Sequence, residues 1–309
     1  MISIQGLRKS FGDITAVDNV DLEVHDGEIF GLLGPNGAGK TTMISMISGV
    51  LKPDAGRVLV DGADIWLEPR QVKAQLGVVP QEIALYEDLN ARDNLRFWGG
   101  LHALKGAELR RRTDEVLSLV GLAERARDKV KTFSGGMKRR LNLCMGLLHR
   151  PKFLLLDEPT VGIDPQARLA ILEIVRQVAD AGTTVLYTTH YMEEAQDLCN
   201  RVAIIDHGRI LTKGTLHELT RQTGEGEVVK LAGSFGGAEA TEALAQVPGV
   251  RMMRVADSYA VLGIDKQAGG LMKVLPSILA LDLEIADVSI QKPSLQSVFI
   301  ALTGRELRD

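Results

Sequence analysis

The sequence predicts an α/β fold with a mostly parallel sheet, and three observations carry that expectation. Short β-rich runs alternate with helical patterns through most of the 309 residues. Several of those runs are apolar at consecutive positions, as strands buried on both faces of a parallel sheet would be. A glycine-rich stretch, "GPNGAGKTT" at residues 34–42, joins one such run to a helical pattern.

In chain order the expected strands are "GEIFGLLG" (27–34), "RVLVDG" (57–62), "LGVVPQ" (76–81), "FLLLDE" (153–158), "TTVLYTTH" (183–190) and "RVAIIDHGRI" (201–210). A helix begins near Gly39, because Met43, Met46, Ile47 and Val50 recur at the i, i+3, i+4, i+7 spacing of one buried face. Residues 88–150 show only helical periodicity and read as a helical insertion, opened by Asn90 and Asp93 in a capping-box pattern with Asp in place of the usual Glu or Gln. Near residue 222 the glycine-rich, charged "QTGEGE" marks a boundary between a domain of residues 1–222 and a smaller one of residues 223–309. The second domain reads as strand 227–233, helix 238–246, strands 250–255 and 259–264, helix 269–280 and strand 283–290, a βαββαβ order that matches the ferredoxin-like motif. A last helix spans about 294–303.

Composition narrows the class. Hydrophobic residues at 45% and charged residues at 25% are ordinary for a soluble globular protein. A formal net charge of -4 lacks the basic excess that a broad grip on nucleic acid requires, so no nucleic-acid partner is expected. Cys144 and Cys199 stand alone in apolar segments and read as reduced core residues of a cytosolic protein. The start "MISIQGLRKSFG" has no signal-peptide run, and no uncharged apolar stretch reaches the ~20 residues that cross a bilayer.

The 34–42 stretch fits G-x-x-x-x-G-K-[ST] with Gly34, Gly39, Lys40 and Thr41. Glycines let backbone N–H groups curl around a phosphate without a Cβ in the way, and the helix N-terminus adds partial positive charge. Lys40 would reach the β and γ phosphates and the Thr41 hydroxyl would hold Mg²⁺. The competing reading is a simple strand-to-helix turn. "FLLLDEPT" then supplies two consecutive carboxylates at a strand end: Asp157 for the metal's water shell and Glu158 to accept a proton from an attacking water. Alternation along a strand would send them to opposite sides. In "TFSGGMKRRLNLCMGLL" (132–148), Ser134, Gly135 and Gly136 stand at the front of a helix with Leu141, Met145 and Leu148 on its apolar face, and so can bind an anion.

With "VPQ", "LLLDEPTVGIDP" and "TTH" added in this order and spacing, residues 1–220 resemble the nucleotide-binding subunit of ATP-binding-cassette transporters. The resemblance implies a P-loop NTPase core, an antiparallel β subdomain and ATP with Mg²⁺ as ligands. It implies that the whole Gly34, Pro35, Asn36, Gly37, Ala38, Gly39, Lys40, Thr41, Thr42 stretch binds nucleotide, that Phe11 stacks on adenine and that Gln81 senses Mg²⁺ and the attacking water. It further implies that His190 contacts the γ-phosphate and that Asp164 lies in the loop joining two sites across a dimer. Phe11 and His190 have core packing as their rival readings, Gln81 a solvated loop, and Asp164 a cap on the helix after Pro165. The family works as a head-to-tail pair in which Ser134 completes its neighbour's site, which implies a homodimer on ATP binding. Phe133 and Met137 replace the leucine and glutamine usual in the signature.

"HYMEEAQDLCNRVAIIDHGRI" and "PSLQSVFIALTGREL", with Met137, resemble the bacterial exporter class that moves drugs, polysaccharides, lipids or nodulation factors through a separate permease. That implies an ATPase peripheral on the cytoplasmic face of the cell membrane, with the second domain serving dimer support or regulation. The permease would dock on "EIALYEDLNARDNLRFWGG", of whose Leu85, Tyr86, Leu89, Phe97 and Trp98 at least three are expected in the core. A soluble cassette ATPase acting on ribosomes or DNA is the alternative. It is disfavoured by the absence of a second cassette, coiled-coil insertion or basic arm. A non-hydrolytic regulatory module is disfavoured because every expected catalytic position is filled.

Overall fold

The computed structural model describes residues 1–222, 227–265, 269–281, 283–291 and 294–303. The chain divides into two compact units, Met1–Leu211 and Thr212–Asp309. Of the "QTGEGE" stretch read as a domain boundary, residues 223–226 lie outside the described residues, as do the ends of "PSLQSVFIALTGREL".

The first unit opens with a hairpin, β1 (Ile2–Phe11) and β2 (Ile14–Val24), followed by β3 (Ile29–Leu33) and α1 (Lys40–Ile47). Next come β4 (Ala55–Val60), β5 (Ala63–Asp64), α2 (Pro69–Lys73) and β6 (Leu76–Val79). The helical interval holds α3 (Ala91–Leu101), α4 (Gly106–Leu119), two 3₁₀ turns and α5 (Gly135–Leu147). It is followed by β7 (Phe153–Asp157), α6 (Pro165–Asp180), β8 (Thr184–Thr189), α7 (Met192–Leu198), β9 (Arg201–Asp206) and β10 (Arg209–Gly214).

Two sheets result. One has six strands in the order β10-β9-β3-β8-β7-β6, with β3 parallel to β8 and β9 and with β7 parallel to β6 and β8. The other has the order β2-β1-β4-β5 and is antiparallel. The consecutive apolar runs are explained by burial on both faces of the first sheet. In β7, Phe153 and Leu155 enter a core shared with α1 and the antiparallel sheet, while Leu154 and Leu156 enter a core shared with α3, α4, α5 and α6.

Five details differ from expectation. The run at 57–62 belongs to the antiparallel sheet through β4. The run at 201–210 is two strands, turned at His207 (φ 47°) and Gly208 (φ 76°). The antiparallel subdomain that the resemblance implies is present, but the residues of its opening hairpin are not among the expected strands; β2 alternates between buried and exposed from Val20 to Val24, whereas β1 opens on the consecutive buried residues Ile2, Ser3 and Ile4. Val50 lies past the end of α1 and is 78% exposed, whereas Met43, Met46 and Ile47 are fully buried. At the front of α3, the Asn90 side chain accepts from the Asp93 amide at 2.8 Å, and the Asp93 carboxylate accepts from the Asn90 side-chain amide at 2.7 Å. The shorter aspartate thus returns to the Asn90 side chain, where a full capping box would reach its backbone.

The second unit contains α8 (Leu216–Gln222), β11 (Glu227–Gly233), α9 (Ala238–Ala245), β12 (Val250–Ala256), β13 (Tyr259–Ile264), α10 (Leu271–Leu279), β14 (Ile285–Gln291) and α11 (Leu295–Thr303). The βαββαβ order of its middle is as expected. The strands pair antiparallel in the order β12-β13-β11-β14. Val229, Leu231 and Leu262 of the sheet pack with Leu244 of α9 and with Leu271, Val274 and Ile278 of α10.

Candidate active site

The glycine-rich loop leaves β3 and enters α1; backbone crowds Gly34 and Gly39, whereas Gly37 has open space and a left-handed φ of 81°. A Cβ on Gly34 would lie 2.3 Å from the Ile205 carbonyl oxygen, and one on Gly39 would lie 2.3 Å from that of Ala16. Gly39 is also the N-cap residue of α1 at φ 105°, a left-handed conformation that disfavours any side chain. No side chain caps this helix, so its first amides point into the cleft as donors for an anion. The cleft measures about 360 Å³ and is lined by Ala16, Asn36, Gly37, Gly39, Lys40, Thr41, Thr42, Gln81, Glu158, Val161 and His190. Residues from five separate segments of the chain therefore meet at one polar hollow.

Lys40 is 4% exposed. Its Nζ donates to the carbonyl oxygens of Gly34 (2.7 Å) and Pro35 (2.9 Å) and pairs with Glu158 Oε1 at 2.9 Å. Glu158 follows the last residue of β7 and has φ 45°, so the turn rather than strand alternation sets its direction. Such left-handed strain in a glutamate persists only where its surroundings impose it. Here the Glu158 amide donates to Thr188 Oγ1 at 3.0 Å, and Glu158 Oε2 lies 3.0 Å from His190 Nδ1. The Thr188 hydroxyl in turn donates to Asp157 Oδ1 at 2.8 Å. One threonine on β8 thus ties the Asp157 carboxylate to the Glu158 backbone.

Burial pushes the Asp157 carboxyl up from its ordinary value, partly offset by hydrogen bonds from Thr188 and Thr41. The Asp157 carboxylate is hydrogen-bonded by the Thr41 hydroxyl, and Thr41 lines the cleft together with Gln81; oxygen donors of this kind suit a hard divalent cation such as Mg²⁺. Among the described residues no cluster of three or more His, Cys, Asp and Glu side chains is arranged to hold a metal. Arg139 of α5 holds the Gln81 loop in place by donating to its carbonyl oxygen, and donates to the Val161 carbonyl oxygen at 3.0 Å.

Other expected residues lie outside this lining. Phe11 ends β1 on the surface, 50% exposed, with Lys9 Nζ 5.7 Å from its ring centre. The same hairpin reaches the glycine loop through Ala16. Ser134 is the N-cap of α5, its hydroxyl accepting from the Met137 amide at 3.3 Å, with Gly135 exposed beside it. Gly136 is needed by packing, since a Cβ there would lie 2.6 Å from that of Ala167. Leu141, Met145 and Leu148 are buried, as the apolar face predicts. Asp164 is exposed and caps α6, accepting from the Ala167 amide at 2.9 Å before Pro165. Within one chain, then, the serine-glycine-glycine helix does not line the phosphate cleft.

The expectation for the aromatic segment fails in part. Leu85 and Trp98 pack against the core, but Tyr86, Leu89 and Phe97 are 49%, 39% and 44% exposed. Tyr86 and Phe97 meet edge to face at 5.0 Å, so they shield one another without entering the interior. Sequence reading also missed Thr188, Thr160, Thr189 and Glu194. Their signal was available: hydroxyls and a carboxylate within otherwise apolar runs demand buried partners.

The chain is 44% identical to the linearmycin resistance ATP-binding protein LnrL of Bacillus subtilis over all of both chains. It is 40% identical to the daunorubicin/doxorubicin resistance ATP-binding protein DrrA of Streptomyces peucetius, over all of this chain and 94% of that one. It is 37% identical to the Nod factor export ATP-binding protein I of Cupriavidus metallidurans, over all of this chain and 99% of that one. Among solved structures, the ATP-binding subunit of an ABC transporter aligns with a TM-score of 0.65 at 31% identity, covering 72% of this chain and 92% of the other. A dimeric ATP-binding cassette in a post-hydrolysis state with ADP and phosphate aligns with a TM-score of 0.63 at 27% identity, covering 70% and 98%. The family model for ABC transporters matches residues 17–161, which include the glycine loop, Gln81, the serine-glycine-glycine helix and both carboxylates. Together with the relatives that match end to end, this shows that the chain belongs to the ABC transporter family and is one of its ATP-hydrolysing ATP-binding components.

Proposed function

We propose that this ATPase binds Mg-ATP between two copies of itself and drives a separate membrane permease that exports drugs, lipids or polysaccharides. The observation that carries the reading is the meeting of Lys40, Glu158 and His190 at the end of the glycine loop. Lys40, backbone amides at the front of α1 and the His190 imidazole hold and neutralise the phosphates, while Glu158 takes the proton of the attacking water. Thr41, Gln81 and Asp157 hold Mg²⁺, which when bound supplies charge neutralisation on the phosphates. Phe11 stacks on the adenine. Ser134, Gly135, Gly136 and Asp164 act on the nucleotide of the opposite copy, which their distance from this chain's own cleft supports.

In this reading residues 1–222 form the ATP-binding domain and 223–309 an accessory domain. No described helix is long and apolar enough to cross a membrane, so the pathway belongs to the permease, with this chain on its cytoplasmic face. The exporter assignment rests on relatives that are named as resistance and Nod factor export proteins. The deciding experiment co-expresses the chain with the membrane protein encoded beside it and follows ATP-dependent efflux from inverted vesicles. Efflux that stops with Glu158→Gln supports the reading; salt-sensitive binding of the chain to RNA or DNA, with no vesicle activity, sinks it.

A further inference from the structure

Glu194, on α7, is 2% exposed, yet it is not part of the cleft lining. Both of its oxygens are engaged. Oε1 accepts from the Thr160 hydroxyl at 2.7 Å, and Oε2 accepts from the Tyr187 hydroxyl at 2.9 Å and the Thr189 hydroxyl at 2.8 Å. Arg168 of α6 brings its Nε to 3.4 Å from Oε1, close enough for charge attraction although the angle gives no hydrogen bond. Burying a carboxylate is unfavourable unless donors surround it, and here four residues from three segments do so.

The sequence positions of those donors matter. Thr160 is two residues after Glu158, and Thr189 immediately precedes His190. Since Glu158 Oε2 and His190 Nδ1 are 3.0 Å apart, the chain closes a ring: Glu158, Pro159, Thr160, Glu194, Thr189, His190 and back to Glu158. A second route runs through rings. The Arg168 guanidinium lies 4.0 Å over Tyr191, which lies 4.2 Å from the His190 ring, and the Tyr191 amide donates to Thr189 Oγ1 at 2.9 Å.

We propose that Glu194 is a positioning residue for ATP hydrolysis: its carboxylate clamps the backbone after Glu158 to the backbone before His190 and so holds those two groups in register. The inference rests on the roles proposed above for Glu158 and His190. A carboxylate accepts on both oxygens, whereas a carboxamide must turn an N–H₂ toward one of these hydroxyls, so Glu194→Gln keeps the volume and loosens one arm of the clamp. The nucleotide grip through Lys40 and the loop amides is untouched, so the loss falls on turnover.

The test is phosphate release by the purified full-length chain, in wild type, Glu194→Gln, Thr160→Val, His190→Ala, Glu158→Gln and the Glu194→Gln/His190→Ala double variant. Glu194→Gln is expected to lower kcat by about 10-fold to 100-fold with KM for ATP changed less than about 3-fold, the scale of a displaced reacting group. In the His190→Ala background the same substitution is expected to change kcat less than about 2-fold, because residues acting as one unit are not additive. Thr160→Val, which removes one arm and keeps the shape, reports the same split if Glu194→Gln does not fold. The inference alone is overturned if Glu194→Gln turns over at the wild-type rate while Glu158→Gln is dead, or if its loss multiplies fully with that of His190→Ala. Wild-type turnover by both Glu158→Gln and His190→Ala overturns the site assignment and the inference together.

Discussion

Nζ of Lys40 lies 2.9 Å from Oε1 of Glu158, with side-chain exposures of 3% and 5%. The lysine that would bind phosphate and the glutamate that would activate water are thus each other's counter-charge. A phosphate arriving at the loop competes with Glu158 for Lys40 and frees the carboxylate. Glu158→Gln should lower turnover by about 10²-fold to 10⁴-fold while retaining ATP binding. It also replaces the counter-charge of buried Lys40 with a neutral carboxamide oxygen, so the variant without nucleotide should melt below wild type. Added ATP should then raise its melting temperature by more than it raises that of wild type. Equal ATP-induced shifts in a thermal melt would show that the pair carries no such exchange.

Gly34→Ala tests whether the loop's shape is imposed by its neighbours. The added Cβ meets the Ile205 carbonyl oxygen at 2.3 Å and the Ile205 side chain at 2.8 Å, and backbone cannot step aside as a flexible side chain can. Strain of this kind is expected to remove about 1–3 kcal/mol of stability and to abolish detectable ATP binding, because the loop must shift to relieve it. By contrast, Gly135→Ala meets nothing within 4 Å and should fold as wild type. Denaturant midpoints and nucleotide titrations of the two variants separate these outcomes.

Much of this site was legible in sequence because its chemistry is local. The glycine loop, Asp157 and Glu158 each sit at a strand end, and strand ends are announced by consecutive apolar residues such as Phe153 to Leu156. The N-terminal hairpin was not legible, since β1 carries no alternation, opening on the consecutive buried residues Ile2, Ser3 and Ile4, and its second partner, β4, lies more than forty residues away in the chain. Gly34 and Gly39 looked like phosphate-binding glycines, but the carbonyl oxygens that exclude a Cβ belong to Ile205 and Ala16, and only the fold brings them there. The exposure of Tyr86 and Phe97 was equally hidden: aromatic residues at helical spacing suit a core face and an outward pair alike.

Asn94 is a buried residue whose role follows from its partners. Its Oδ1 accepts from the Tyr86 amide at 2.8 Å, and its Nδ2 donates to the carbonyl oxygens of Tyr86 and Asn90, both at 3.0 Å. It pins the segment that carries exposed Tyr86 to the front of α3. Asn94→Leu leaves the Tyr86 amide without its partner, while the Tyr86 and Asn90 carbonyl oxygens keep the Leu89 and Asn94 amides as donors, so stability should fall by about 1–3 kcal/mol for the one group left unpaired. Hydrogen exchange should speed up at residues 84–90 in this variant and stay as in wild type at the glycine loop. Uniform acceleration across the first unit would mean that the asparagine supports the whole fold rather than this segment.

His102 and His149 stack with ring centres 3.8 Å apart and planes within 5°. His149 Nε2 is 2.9 Å from the Leu76 carbonyl oxygen, while its Nδ1 is buried without a partner. Burial, together with the positive charge that His102 and nearby Arg112 can carry, moves the His149 value down from 6.5 to about 4, and burial lowers that of His102 as well. The unfolded chain therefore takes up these protons first. Stability contributed by neutral His149 is fully present above pH about 6.5 and is lost as pH falls toward about 4. The urea midpoint of wild type should drop between pH 7.5 and pH 5, whereas His149→Gln, which cannot titrate and can still donate to Leu76, should show a smaller drop. His102→Gln removes one of the repelling charges and should fall between the two. If all three proteins lose stability equally over that interval, the stacked pair plays no part in the acid sensitivity.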